Sequence, residues 1–206
     1  MSSVNAVFGL SGCALFSLAL IATVLRLQRL PVRVRHAVML AAALALLVPL
    51  GDLSITAYVR GAIGDLSIPT LVLAGGACVR QLIGRTVIGQ ADRRALCWIL
   101  AVAAAFLYPF ALGLTPFDPY ALGYGSIGFV TALLFVTLAA WQRRRYLVVL
   151  VVLSATLAYL AGAYESRNLW DYLIDPLAAL YALAWLFGRA LGRRSVEVAD
   201  TKTQLV

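Results

Sequence analysis

The chain alternates long apolar runs with short breaks that are rich either in arginine or in Gly, Pro and Asp. Apolar runs cover residues 4–25, 66–83, 95–114, 122–141, 146–163 and 173–191. Each approaches the roughly 20 apolar residues that a helix needs to cross a bilayer core. A further run over 37–50 is short. It reaches spanning length by continuing through Gly51-Asp52-Leu53-Ser54-Ile55-Thr56-Ala57-Tyr58, which puts Asp52 in its outer part. The pattern predicts an all-α integral membrane protein, a single bundle of about seven transmembrane helices over residues 1–194, with a polar, mobile cytoplasmic tail over 195–206.

The breaks orient the runs. Arg26, Arg29, Arg33 and Arg35 follow the first; Arg80, Arg85, Arg93 and Arg94 end or follow the third; Arg143, Arg144 and Arg145 follow the fifth; Arg189, Arg193 and Arg194 end or follow the last. Basic loops stay in the cytoplasm, so these four breaks face inward and the N-terminus lies outside. The inner segments then hold fifteen basic and three acidic side chains, a net +12, and the outer ones two basic and six acidic, a net −4. Thr115-Pro116-Phe117-Asp118-Pro119-Tyr120 reads as an outer turn. Aromatics sort the same way: Tyr58, Phe117, Tyr120, Tyr124, Tyr164, Trp170 and Tyr172 mark the outer interface, and Trp141 and Tyr146 an inner one.

Composition agrees with this map. Of 206 residues, 63% are hydrophobic and 13% charged, far from the balance of a water-soluble domain. The formal charge of +8 sits in the breaks, where it sets topology and gives no indication of nucleic-acid binding. Sixteen of seventeen basic residues are arginine among abundant Ala, Leu and Val, a bias that points to a GC-rich bacterium and its inner membrane. Leu10-Ser11-Gly12-Cys13 looks superficially like a lipoprotein cleavage box, but no basic residue precedes it and the apolar run continues past it. It is read as part of an uncleaved first span.

Several chemistries lack their residues. His36 is the sole histidine and lies in an inner loop, which leaves paired-histidine haem ligation and histidine-rich zinc sites without ligands. A serine–histidine hydrolase would have its histidine across the membrane from the acidic clusters. Lys202, the sole lysine, lies in the tail, so no intramembrane Schiff base is available. Cys13, Cys78 and Cys97 are too widely spaced for a metal or disulfide motif, and no phosphate-binding glycine loop or dinucleotide fingerprint occurs. No cofactor and no metal are expected.

The candidate site residues are outer and mostly acidic. Gly51-Asp52-Leu53-Ser54-Ile55 and Gly64-Asp65-Leu66-Ser67-Ile68 repeat thirteen residues apart with Arg60 between them. Gly61 and Gly64 predict a break, placing the two copies on opposite sides of an outer hairpin where Arg60 can neutralise one or both carboxylates. Asp65 also suits an N-cap for the third span, whereas Asp52, preceded by apolar residues, calls for a partner or a polar path. A second cluster holds Glu165, Arg167, Asp171 and Asp175. On a helix, Asp171 and Asp175 share a face, as do Arg167 and Asp171, and that face suits a cation, a sugar or an amine-bearing headgroup. Asp118, before Pro119, suits a turn as well as a ligand role.

These residues suggest a non-enzymatic envelope protein whose outer polar surface recognises a lipid headgroup, an envelope-polymer intermediate or a membrane-protein partner. Alternatives are a small proton- or cation-coupled transporter using Asp52, and an enzyme acting on a lipid-linked substrate with Asp52 or Asp175 as base and Arg60 or Arg167 on phosphate.

Overall fold

The structure, a computed structural model, describes residues 3–113 and 117–203 and is mostly helical. Thr115 and Pro116 of the expected outer turn, and residues 204–206 of the expected tail, lie outside the described residues. The first helix, α1 (Ser3–Val24), ends where Arg26 takes a left-handed conformation (φ 51°) ahead of a 3₁₀ turn, Leu27–Arg29. Pro31 then presets the entry to α2 (Val32–Leu47), which therefore starts inside the arginine-rich loop and takes Arg33, Arg35 and His36 into its first turns.

The second run does not continue as a helix to Tyr58. Pro49 has no N–H to extend the ladder, and Gly51 turns with φ 71°, so α2 stops at Leu47. A two-residue hairpin follows, β1 (Pro49–Leu50) paired antiparallel with β2 (Leu53–Ser54) in the register Pro49↔Ser54 and Leu50↔Leu53. The short helix α3 (Ile55–Ile63) comes next, capped by the Ser54 hydroxyl, which accepts from the Ala57 N–H at 3.2 Å.

Beyond Gly64 lie α4 (Ile68–Ile83), stopped by Gly84 at φ 71°, and α5 (Gln90–Ala111), with Pro109 in its last turn. Three longer helices and one short one complete the chain: α6 (Ile127–Gln142), α7 (Tyr146–Leu160), α8 (Leu169–Leu173) and α9 (Pro176–Thr203). The helix of α9 thus runs on through the stretch read as a tail.

Contacts fix the relative directions. Gly12 of α1 faces Leu71 of α4, and one turn on Leu15 meets Gly75 and Cys78, so α1 and α4 run parallel. At the start of α5, Gln90 accepts from Arg189, midway along α9, at 2.6 Å, while Phe106 near the end of α5 lies 6.3 Å from Trp170, just before α9 begins, so α5 and α9 are antiparallel. His36 at the start of α2 lies 2.9 Å from the Leu82 carbonyl at the end of α4. One end of the bundle therefore gathers the arginine-rich connections. The opposite end gathers the hairpin, α3, α8, the 117–124 loop and the starts of α4 and α9.

Small side chains let the helices approach: Ala22, Ala74 and Cys78 are buried between α1 and α4, and Cys97, Ala104, Ala178 and Ala182 between α5 and α9. Large apolar side chains point the other way. Leu44, Trp98, Ile127, Phe135, Leu157, Leu183 and Phe187, from five helices, are at least half exposed. Among the described residues two helical stretches, Asn5–Val24 and Gln90–Phe110, are long and apolar enough to cross a membrane, and Ile68–Ile83, Ile127–Gln142, Tyr146–Leu160 and Pro176–Leu191 are shorter apolar helices.

Candidate functional site

The acidic end of the bundle is built around Asp175, which is buried. It directly precedes α9, and its Oδ1 accepts from the Ala178 N–H at 2.6 Å as an N-cap. Its Oδ2 reaches across to α4, where it accepts from the Ser67 N–H and from the Thr70 hydroxyl, both at 2.8 Å. One carboxylate thus serves two helix starts, whose partial positive charges both favour an anion.

Arg60 and Asp65 form a second unit. The guanidinium donates from Nε to Asp65 Oδ1 at 2.7 Å and from Nη2 to Oδ2 at 3.1 Å, a two-pronged pair largely shielded from solvent. Hydrogen bonding to Asp65 holds the Arg60 pKa above its usual value. The pair lies on Gly9 of α1: an added Cβ there would come within 2.7 Å of Arg60 Cζ and overlap Asp65. Asp65 is therefore not an N-cap. Gly64 (φ 74°) turns the chain back on α3 so that Asp65 faces Arg60, and Ser67 occupies the cap position of α4, where Asp175 satisfies its N–H. Asp52 stands apart, exposed at the tip of the β1–β2 turn.

The third unit ties two loops together. Asp171 accepts from the Tyr120 hydroxyl at 3.0 and 3.2 Å and from the Ser166 hydroxyl. Asn168 caps α8 by accepting from the Trp170 N–H at 2.9 Å, and donates to the Tyr120 carbonyl at 2.9 Å, while Trp170 Nε1 donates to the Pro119 carbonyl at 2.9 Å. Tyr164 and Tyr172 stack at 4.6 Å; the Tyr164 hydroxyl donates to the Leu66 carbonyl, and the Tyr164 N–H donates to the Tyr172 hydroxyl at 3.0 Å. Burial pushes the Tyr120 hydroxyl well above its usual range, with its bond to Asp171 adding to the effect, and burial does the same to Tyr164.

The shared helical face expected for Arg167, Asp171 and Asp175 does not form. Helix α8 begins after Asn168, which excludes Arg167, and ends at Ile174, whose extended backbone (φ −156°) sends Asp175 to a different helix. Arg167 and Glu165 are exposed. Asp118 is exposed too and makes a turn, accepting from the Tyr120 N–H at 2.9 Å. The eight acidic-end candidates thus divide into Arg60, Asp65, Asp171 and Asp175, held within separate networks, and Asp52, Asp118, Glu165 and Arg167 at the surface.

Sequence reasoning missed Ser67, Thr70, Tyr120, Ser166 and Asn168, the partners of those carboxylates. Asn168 alone carried a local signal, an Asn three residues before Asp171 in a helix-start pattern. Comparison of the chain with protein-family models, curated proteins and solved structures finds no match.

Proposed function

We propose that the chain is a multi-pass protein of a bacterial cytoplasmic membrane, with seven spans formed by α1, α2, α4, α5, α6, α7 and α9, an outer N-terminus and a cytoplasmic C-terminus. The exposed apolar side chains on the flanks of these helices support a lipid-facing belt. The gathering of arginine connections at one end and acidic connections at the other supports the orientation. Helix α2, at 16 residues, covers about 24 Å at 1.5 Å per residue, and the hairpin and α3 complete its crossing at interfacial depth.

On the outer face the protein is a non-enzymatic recognition surface for a lipid headgroup, an envelope-polymer intermediate or a membrane-protein partner. The observation that carries this reading is the use of the shielded carboxylates in structure: Asp65 in an ion pair, Asp171 between loops, Asp175 at two helix starts. They stiffen a cap that presents Asp52, Glu165 and Arg167 to the surroundings.

The test combines topology with retention. Reporter fusions after Arg35, Arg94, Arg145 and Arg194 should report cytoplasm, and fusions at Gly61, Pro119 and Asn168 the opposite side. Protein purified in native lipid should lose its copurifying ligand in Asp52→Asn or in Glu165→Gln combined with Arg167→Gln, with an unchanged thermal midpoint. Full retention in all these variants rejects the outer surface as the recognition element.

A further inference from the structure

A cavity of about 390 Å³ lies between α1, α4 and α9, with the start of α5 and the 84–89 loop at its arginine-rich end. Along α4 its lining runs from Thr70 to Gln81, eleven helical steps or about 16 Å. The walls of this passage are apolar: Phe16 and Leu20 from α1, Leu73 from α4, Tyr181 from α9. Ile88 closes one side by folding back onto α4, where a Cβ added at Gly76 would meet Ile88 Cδ1 at 2.5 Å.

The arginine-rich end of the cavity has different chemistry. Arg80 and Arg93 line it together with Gln81. Gln81 is only 4% exposed, and its Oε1 has no hydrogen-bond partner among the described residues; Arg93 Nε is also buried and unpartnered. A buried amide oxygen and a buried guanidinium N–H left unpaired are each destabilising, a penalty that a bound group offering both a donor and an anionic acceptor would recover.

We propose that this cavity binds an anionic phospholipid with a hydroxyl-bearing headgroup, taken from the cytoplasmic leaflet, with its phosphate on Arg80 and Arg93 and an acyl chain along the Phe16–Leu73–Tyr181 passage. The phosphate oxygens accept from the two guanidinium groups, and a headgroup hydroxyl donates to Gln81 Oε1. A zwitterionic choline headgroup brings a cation toward the two arginines and no hydroxyl for Gln81, so it fits less well. The inference rests on the membrane placement above but not on the outer recognition surface.

The test uses the full chain in a neutral detergent, titrated with phosphatidylglycerol or phosphatidylcholine of equal chain length, with bound lipid counted by native mass spectrometry. The wild type should prefer phosphatidylglycerol by about tenfold or more, the effect of losing one charged hydrogen-bonded contact. Arg80→Gln combined with Arg93→Gln should abolish the preference. Arg80→Lys with Arg93→Lys, which keeps the charge, should preserve most of it. Ala77→Phe, which fills the passage and leaves both arginines, should reduce lipid uptake. Arg143→Gln with Arg145→Gln, in the separate groove between α5, α6 and α7 that Trp98 lines, should change nothing.

Equal binding of both lipids by the wild type overturns the proposal, as does an unchanged preference in the double Gln variant. Glycerol phosphate or inorganic phosphate that binds as tightly as the lipid, and is insensitive to Ala77→Phe, overturns it in favour of a soluble anion. The membrane reading fails separately: an alkaline carbonate wash that releases the chain from membranes sinks that placement, whereas an embedded chain without headgroup preference sinks the site alone.

Discussion

The Asp175 carboxylate accepts a hydrogen bond from the backbone N–H of Ser67 at 2.8 Å across 108 residues of chain. Ser67 and Asp175 are both buried, and each immediately precedes its helix or that helix's first proline turn. Two helices that start at the same end of the bundle are thereby locked at a common height, since a slip of either by one residue would pull its N-terminal N–H away from the shared carboxylate.

Asp175→Ala should therefore act as a double uncapping. It removes the N-cap of α9, ordinarily worth about 1 kcal/mol, and strands the buried Ser67 N–H, at about 1–3 kcal/mol, for a total loss of roughly 2–4 kcal/mol. Asp175→Asn keeps one acceptor oxygen of two and should fall between. Thermal unfolding of the detergent-solubilised chain measures this; a midpoint within experimental scatter of wild type for Asp175→Ala would show that the two helix starts do not depend on each other.

Arg60, Asp65 and Asp52 make opposite forecasts for similar substitutions. Arg60→Gln and Asp65→Asn each break a mostly shielded pair, and the double variant should recover part of the combined loss, with a coupling of about 1–2 kcal/mol. Asp52→Asn at the exposed hairpin tip should stay within about 0.5 kcal/mol of wild type. Gly9→Ala should be as harmful as either pair variant, because its methyl group would lie where Arg60 and Asp65 meet. A strong coupling of Arg60 to Asp52 instead of Asp65 in the same cycles would contradict the observed pairing.

How much of this was legible in the sequence depends on the range of the signal. Apolar runs and arginine breaks are local, and the helices follow them closely: the third run ends at Ile83 and the sixth begins at Tyr146, as in α4 and α7. The end of α2 is also written locally, in Pro49 and Gly51, although run length alone extends the second span through Tyr58. The carboxylates were legible only in part. Arg60, between the two Gly-Asp-Leu-Ser-Ile copies, is offered as a counterion for one or both aspartates, and it pairs with Asp65 once Gly64 reverses the chain; the cap role of Asp65, suggested by the residues that follow it, does not form. The Asp175–Ser67 and Tyr120–Asp171 contacts join segments 108 and 51 residues apart, and no periodicity encodes them.

Gly123 tests the loop tie. A Cβ there would meet Asn168 Cγ at 2.7 Å and Trp170 Cδ1 at 2.8 Å. Gly123→Ala should push Asn168 off the Tyr120 carbonyl and loosen the 117–124 loop from α8, at about 1–3 kcal/mol. Limited proteolysis of the loop should accelerate, and the loss should be smaller in an Asn168→Ala background, where only the Trp170 clash remains. Equal losses in both backgrounds would place the strain elsewhere.

The same cap predicts how stability responds to alkali. Burial raises the tyrosine hydroxyls of Tyr120 and Tyr164 above the value of about 10 that an unfolded chain gives them. Below pH 10 both states hold these protons and no pH dependence arises from them. Above pH 10 the unfolded chain releases them first, so the folded state binds more protons and stability falls as pH rises through the folded pKa. Burial is the main cause, and the acceptors work in the same direction: Tyr120 donates to Asp171 and Tyr164 to the Leu66 carbonyl, and a phenolate can donate to neither. Between pH 8 and 11, the midpoint difference between the wild type and the Tyr120→Phe, Tyr164→Phe double variant should be constant up to about 10 and then narrow. Tyr120→Phe and Tyr164→Phe should lower the midpoint at pH 8, through the lost hydrogen bond, yet reduce the alkaline slope. A slope unchanged in the double Phe variant would assign the alkaline loss to other groups and remove these two tyrosines as its cause.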